Sequence, residues 1–131
     1  MKTPLNKLSF DFEYTGCIYT EEDIIAREFP LLSEEELLKR IVNSTIYGDY
    51  PNRFKFVTDI YENGKVEGVN NVGTYDVGEW SIRDNIFELQ WQNSWQNTHT
   101  HAYLVKDSIM FFDTSTGAWR TTFKFFIPWE N

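Results

Sequence analysis

The stretch RFKFVTDIYENGKVEGVN, residues 53–70, decides the fold of this chain. The even-numbered residues of Phe54–Ile60 share one face of an extended chain, whereas Lys55 and Asp59 lie on the opposite face. The pair Asn63-Gly64 separates this run from a second alternating run, and it favours a type I′ turn with positive φ at both central positions. The stretch therefore predicts a β-hairpin with one apolar face.

The same pattern continues from Thr45 to the C-terminal end. Hydrophobic residues recur with a period of two, and turn residues return every eight to twelve positions or so, which is typical of an antiparallel meander. Closing such strands into a barrel buries their apolar face and removes unpaired edges. We predict a mainly β fold, an antiparallel up-and-down meander closed into a roughly eight-stranded barrel. The predicted strands lie near residues 44–50, 53–62, 65–71, 74–82, 86–92, 97–105, 108–114 and 118–127.

One predicted strand, near residues 74–82, changes phase along its length. Its apolar residues Tyr75 and Val77 occupy odd positions, whereas Trp80 occupies an even one. One extra residue in a strand reverses the side-chain alternation, and glycine tolerates the backbone that this requires. The pattern predicts a β-bulge at Gly78-Glu79.

Helical patterns precede the meander. Thr20 followed by Asp23, and Ser33 followed by Glu36, have the spacing of capping boxes, so we predict one or two short N-terminal helices. Ahead of both, Leu8–Tyr14 alternates between apolar and polar residues as a strand does.

The length and composition of the chain limit the classes of protein to which it can belong. A chain of 131 residues predicts a single domain, 1–131, with an N-terminal segment 1–43 and a barrel 44–127. Its net charge of -8 and its lack of a basic cluster argue against nucleic acid as a partner. No apolar run approaches the roughly 18 residues that would indicate a membrane span. One cysteine, Cys17, cannot form an internal disulfide, and no apolar leader is recognisable, so a cytoplasmic location is expected.

Two motifs resemble those of the lipocalin or calycin group of small-ligand β-barrels. They are Gly78-Glu79-Trp80 and Arg120 beside Trp119, and that group has a Gly-x-Trp element whose tryptophan is packed by a late arginine. A helix, the segment Asn43–Tyr50, an Asn-Gly turn and Gly-x-Trp follow one another in an order similar to that of uncharacterised bacterial lipocalin-like domains. The resemblance covers roughly residues 45–126, and it implies a barrel fold without an agreed activity.

The barrel interior is the predicted site of function. An eight-stranded barrel encloses room for one small molecule, so we predict non-enzymatic binding of a small apolar or aromatic ligand. On the last strand Trp119, Phe123 and Phe125 alternate onto one face. The alternative is that large aromatic side chains simply fill the interior. The predicted ligand-binding residues are Phe54, Phe56, Phe87, Trp91, Trp119 and Phe123.

Two other hypotheses stand beside this one. The acidic stretch Glu21–Glu36 suits a protein-binding module, such as an inhibitor or immunity-type protein, that recognises a basic partner. His99 and His101 project from one strand face and are candidate metal or catalytic residues. Zinc normally takes three or four protein ligands, and a third would have to come from another strand, for example from Asp113 or Glu88. We therefore predict no metal and no cofactor, and enzymatic activity is not expected.

Overall fold

The computed structural model describes residues 9–130, and their strands form one closed antiparallel barrel. Each strand pairs with the next, and the last pairs with the first, which confirms the predicted fold class. Two short helices, α1 (Glu21–Ala26) and α2 (Glu34–Ile41), precede the barrel. The strands are β1 Ser44–Tyr50, β2 Phe54–Ile60, β3 Lys65–Asn70, β4 Tyr75–Arg83, β5 Ile86–Trp91, β6 Thr98–Val105, β7 Ser108–Asp113 and β8 Trp119–Pro128.

Both helices begin at the predicted capping boxes. The Ser33 hydroxyl accepts a hydrogen bond from the Glu36 N–H at 3.2 Å, and the Glu36 carboxylate accepts one from the Ser33 N–H at 3.2 Å. The bonds that the Glu36 carboxylate accepts from the Ser33 N–H and then from the Ser33 hydroxyl, at 2.9 Å, hold the pKa of Glu36 below its ordinary value. Thr20 and Asp23 form the same arrangement at α1. No helix among residues 9–130 has the length and apolar character that crossing a membrane requires.

Helix α2 closes one end of the barrel. Its apolar residues Leu37 and Ile41 are fully buried and belong to the same hydrophobic cluster as Ile46 at the start of β1. The Glu34 N–H donates to the side chain of Asn85, in the β4–β5 turn, at 2.8 Å. This end of the barrel is therefore packed with side chains.

The N-terminal segment crosses the outside of the barrel and forms no strand over residues 9–20. The strand predicted over Leu8–Tyr14 is therefore wrong for its described part, and Leu8 lies outside the described residues. Because β1 and β8 pair with each other, the closed barrel offers no free edge to a ninth strand. Phe12 instead packs edge-on against Phe125, and the Thr15 N–H donates to Asp49 at 2.7 Å.

Strand β4 is regular where a bulge was predicted. Its pairing with β3 and with β5 runs without a register shift, so the bulge at Gly78-Glu79 is absent. Tyr75 lies on the outer face and is half-exposed, whereas Asp76 is fully buried. The hydrophobic pattern of the sequence changes phase here because the inward-facing positions in the first half of β4 are Asp76 and Gly78 rather than hydrophobic residues.

The type I′ turn lies at a different hairpin from the predicted one. At Asn63-Gly64 only the glycine has positive φ, and its N–H donates to the Tyr61 carbonyl at 3.1 Å. This is a β-turn followed by a glycine, another common hairpin loop. Both central residues of the β4–β5 turn, Asp84 and Asn85, have positive φ, at 55° and 63°.

Strand β8 contains two irregularities that the sequence pattern did not predict. The register of its pairing shifts opposite Phe111/Phe112 and again opposite Tyr47/Gly48. Each shift reverses the side-chain alternation. Trp119 and Phe125 therefore lie on the outer face while Phe123 points inward, and the prediction that these three share a face is wrong.

The turn after β7 is tied to Asp113 and makes stability depend on pH. Its carboxylate accepts hydrogen bonds from the Ser115 hydroxyl at 2.6 Å and from the Ser115 and Thr116 N–H groups at 3.0 and 2.9 Å. These bonds, the Ser115 hydroxyl first, lower the pKa of Asp113 to about 2. The pKa of an aspartate in an unfolded chain is about 3.9. The ionised carboxylate therefore stabilises the fold above about pH 4, and this stabilisation is lost as the pH falls toward 2.

We expect Asp113→Asn to narrow the difference in unfolding free energy between pH 7 and pH 2.5. Urea unfolding of wild type and variant at both pH values measures this difference. Asp107→Asn, in the exposed β6–β7 turn, is the matched control and should keep the wild-type difference. An equal pH dependence in wild type and Asp113→Asn would contradict the role of this carboxylate.

Candidate functional site

A cavity of about 450 Å³ opens at the end of the barrel opposite α2 and reaches inward as far as Ile60 and Val66, near the other ends of β2 and β3. Loop residues such as Asn52, Val72 and Ser94 form its rim, because the β1–β2, β3–β4 and β5–β6 loops all lie at this end. Its walls combine aromatic and aliphatic residues with neutral polar ones such as Thr58 and Thr98. The aromatic residues that line it are Tyr50, Phe54, Phe56, Trp91, Trp95 and Phe123.

The structure brings four of the six predicted ligand-binding residues together in this cavity. Phe87 is absent from the lining, because it is fully buried in the packed part of the interior, 5.3 Å from Phe111 between ring centroids. Trp119 lies on the outer face, where its indole N–H donates to the Thr122 hydroxyl at 2.9 Å. The four lining residues are Phe54, Phe56, Trp91 and Phe123.

Trp95 is a lining residue that the sequence analysis did not identify. It belongs to the β5–β6 loop, and its ring packs on Trp91 with centroids 4.5 Å apart and lies 6.1 Å from the Tyr50 ring. A Cβ atom on Gly68 would lie 2.8 Å from the Trp95 ring, so the glycine makes room for the indole. A glycine inside a strand often marks the close approach of a bulky group. Gly68 was therefore the one feature of the sequence that could have indicated a large side chain at this place. The indole N–H is buried without a hydrogen-bond partner.

Asp76 fixes the loop that carries Trp95. Its fully buried carboxylate accepts hydrogen bonds from the N–H groups of Ser94 and Trp95 at 2.9 and 3.0 Å. The side-chain amide of Asn93 donates a further bond at 2.9 Å, and the Val77 N–H donates one at 2.8 Å. Burial raises the pKa of Asp76, but the hydrogen bonds outweigh it, so the pKa lies below its ordinary value. An ionised carboxylate thus anchors one side of the cavity rim.

Several polar side chains at the rim are held by hydrogen bonds to one another or to the backbone. The Asn70 carbonyl oxygen accepts from the Thr74 N–H at 2.9 Å, which directs its NH₂ group to the Tyr50 hydroxyl at 3.0 Å. The Arg120 guanidinium donates to the side-chain oxygen of Gln96 at 2.8 Å. Tyr50, Asn70 and Thr74 lie on or beside the β1–β4 side of the barrel. Gln96 lies in the β5–β6 loop, and Arg120 lies in β8. Of the described residues that line the cavity, Arg120 alone carries a charge.

The two histidines lie on the outer face of β6 and contact different carboxylates. His99 Nε2 is 3.1 Å from Glu88, and His101 Nδ1 is 2.8 Å from Glu21. The Tyr103 hydroxyl donates to the same Glu21 carboxylate at 2.6 Å. The pKa of Tyr103 is raised, first because the hydroxyl is partly buried and second because it donates to this negative group. Within residues 9–130, no group of three or more potential metal-ligating side chains is formed. The arrangement connects α1 to the barrel wall.

Some carboxylates of the acidic stretch Glu21–Glu36 are engaged in contacts within the protein. Glu21 is engaged by His101 and Tyr103, and Asp23 and Glu36 accept the capping hydrogen bonds at the helix starts. An acidic docking face would therefore consist of the remaining exposed carboxylates. These are Glu22, Glu28, Glu34 and Glu35, of which Glu35 lies 3.5 Å from the Lys39 ammonium group.

Comparisons with known protein families, curated proteins and solved structures found no match to this chain. The fold is established as an eight-stranded closed barrel, and the lipocalin resemblance stays a prediction. The pairing of arginine and tryptophan that the resemblance implies is not formed with Trp80. The Trp80 indole N–H donates to the Tyr61 carbonyl at 2.8 Å, in a loop at the closed end, whereas Arg120 lies at the cavity rim.

Proposed function

We propose that this protein is a lipocalin-like, non-enzymatic binder of a small apolar or aromatic ligand, which it holds in the open end of the barrel. The observation that carries the proposal is the cavity of about 450 Å³ with six aromatic residues in its lining. Ligand sites are commonly concave, largely apolar, and about 300 to 1,000 Å³ in volume. A cytoplasmic setting is part of the proposal, because the single Cys17 is a free thiol.

The contrast between the packed and the unfilled parts of the interior supports this proposal. Phe87 and Phe111 are fully buried and lie outside the cavity lining. Protein interiors are normally packed to crystal-like density, so an unfilled region calls for a reason. Covering apolar walls with a ligand gains about 25 cal/mol for each Å² removed from water. A flat apolar molecule between Phe54, Trp91 and Trp95 would gain this free energy.

A neutral fluorescent probe tests the proposal directly. We expect N-phenyl-1-naphthylamine, whose emission rises in apolar surroundings, to bind with one-to-one stoichiometry. Thr98→Phe should abolish this binding, because Thr98 lines the cavity and the larger ring would occupy it. Probe emission titrated against protein gives the affinity and the stoichiometry.

The matched control is Thr114→Phe, at a turn position outside the lining, which should leave the probe affinity unchanged. Circular dichroism of both variants checks that the barrel is retained. Binding that survives Thr98→Phe in a folded protein would place the probe elsewhere and contradict the proposal, as would failure of wild type to bind it.

A further inference from the structure

The one charged side chain in the cavity lining has the sign opposite to the net charge of the protein, whereas the ionised Asp76 lies behind the rim and is engaged by backbone N–H groups of its loop. The chain has 20 acidic and 12 basic residues, yet no acidic residue is among the described residues that line the cavity. The one charged lining residue, Arg120, is a cation. A positive group at the mouth of a concavity with otherwise uncharged walls favours anions and disfavours cations.

The local backbone of β8 sets the position of Arg120. The β7–β8 register pairs Phe111 with Thr121 and Phe112 with Trp119, so Arg120 is the extra residue at the register shift. Such bulges re-aim a side chain. The guanidinium lies at the rim beside Gln96, which accepts one of its hydrogen bonds at 2.8 Å. Gln96 is neutral, so it orients the guanidinium without compensating its charge.

Arg120 also forms no ion pair with a carboxylate among residues 9–130. A guanidinium has five N–H donors in a planar fork, and this geometry matches a carboxylate or a related oxyanion. One hydrogen bond to Gln96 leaves most of these donors for another acceptor. The residue is therefore equipped to bind an anionic group at the rim.

A second donor lines the same cavity. The Tyr50 hydroxyl accepts a hydrogen bond from the Asn70 amide at 3.0 Å, so its own hydrogen is left to donate elsewhere. This contact directs the Tyr50 hydroxyl toward β3, on the side of β1 away from Arg120 and β8. The Tyr50 ring also stacks on Phe54 with centroids 5.2 Å apart. Tyr50 thus joins an aromatic wall to a hydrogen-bond donor.

We propose that the ligand is an organic acid, with a flat aromatic or apolar body in the cavity and an anionic oxygen group bound at the rim by Arg120. This inference rests on the proposed function and adds the chemical class of the ligand. Charge-assisted hydrogen bonds between a guanidinium and an oxyanion are roughly twice as strong as neutral ones. The anionic group therefore sets the orientation of the molecule, and the aromatic walls hold its body.

Two fluorescent probes with the same ring system separate the inference from the proposed function. N-phenyl-1-naphthylamine is neutral, and 8-anilinonaphthalene-1-sulfonate adds an anionic oxygen group to that scaffold. We expect the sulfonate to bind wild type more tightly than the neutral probe. Arg120→Gln should weaken sulfonate binding roughly tenfold or more and change neutral-probe binding less than about twofold. Arg83→Gln removes the same charge at the opposite end of the barrel and should change neither.

Each outcome has a separate meaning. Thr98→Phe should block both probes, which confirms that the sulfonate is measured inside the cavity. If neither probe binds wild type, the proposed function fails. If the neutral probe binds and is blocked by Thr98→Phe, but Arg120→Gln and Arg83→Gln affect the sulfonate equally, the proposed function stands and the organic-acid inference is overturned. Arg120 is then a surface cation hydrogen-bonded to Gln96 and no more.

Discussion

Asp76→Asn is expected to lower the free energy of unfolding by about 3 kcal/mol and to release the loop at residues 92–97. The wild-type carboxylate is fully buried and accepts hydrogen bonds from N–H groups of Ser94 and Trp95. The replacement amide has one acceptor oxygen, and its NH₂ group would face those donors. Buried N–H groups without an acceptor cost about 1 to 3 kcal/mol each.

Urea unfolding at pH 7 measures the loss, and Asp107→Asn, in an exposed turn, is the control with an expected change within about 0.5 kcal/mol. Because the pKa of Asp76 is lowered in the folded state, its stabilisation is present above about pH 4 and declines at lower pH. The loss caused by Asp76→Asn should therefore shrink when the pH is lowered. A loss that is small at pH 7, or that is the same at low pH, would show that this carboxylate does not anchor the loop.

The same variant should also weaken binding of the neutral naphthylamine probe. Trp95 forms part of the aromatic wall, and its backbone N–H is one of the groups that Asp76 holds at 3.0 Å. When the loop is released, the wall loses its fixed position, so ordering it again on binding costs free energy. We expect the probe affinity to fall although Asp76 does not line the cavity.

Phe87→Ala is expected to destabilise the fold by about 3 to 5 kcal/mol, the usual range for removing a fully buried phenylalanine ring. The Phe87 ring lies 5.3 Å from that of Phe111 and 6.4 Å from that of Phe123, between centroids. Phe111 lies in the packed part of the interior, and Phe123 is also a lining residue of the cavity, so the variant loses buried area and close packing where the two parts meet. Urea unfolding of the variant against wild type measures the effect.

Phe87→Leu separates the packing role from ligand binding. It keeps most of the apolar volume, so we expect a smaller loss of stability and an unchanged affinity for the neutral probe. Phe56→Leu is the counterpart, because Phe56 lines the cavity and its replacement should weaken probe binding. A fall in probe affinity for Phe87→Leu as large as for Phe56→Leu would extend the binding site into the part of the interior that the structure shows as packed.

Local signals predicted most of the fold. Each capping box is made by residues three positions apart, so Thr20 with Asp23 and Ser33 with Glu36 located the helix starts without tertiary information. The meander was also predictable, because period-two alternation and turn residues depend on neighbours in the chain. The strand bounds agree with the prediction to within about a residue or two, and the closed barrel follows from the need to pair every strand edge.

The sequence pattern was less informative about the candidate site. Alternation assigns a residue to one face of a strand, but it does not give the depth of that residue along the barrel axis. Phe56 and Phe87 both face inward, yet one lines the cavity and the other lies in the packed part of the interior. The outward position of Trp119 depends on a register shift that β8 acquires by pairing with β7.

The sequence by itself therefore determined the helix starts, the number and order of strands, and the barrel, since each depends on residues close together in the chain or on a repeated pattern. Only the tertiary structure decided where the barrel is packed and where it is open, how Asp76 holds the loop of Trp95, and that Arg120 lies at the rim. The physical reason is that these features arise from contacts between residues distant in sequence, and hydrogen bonds and close packing between such residues leave no periodic signal in the chain.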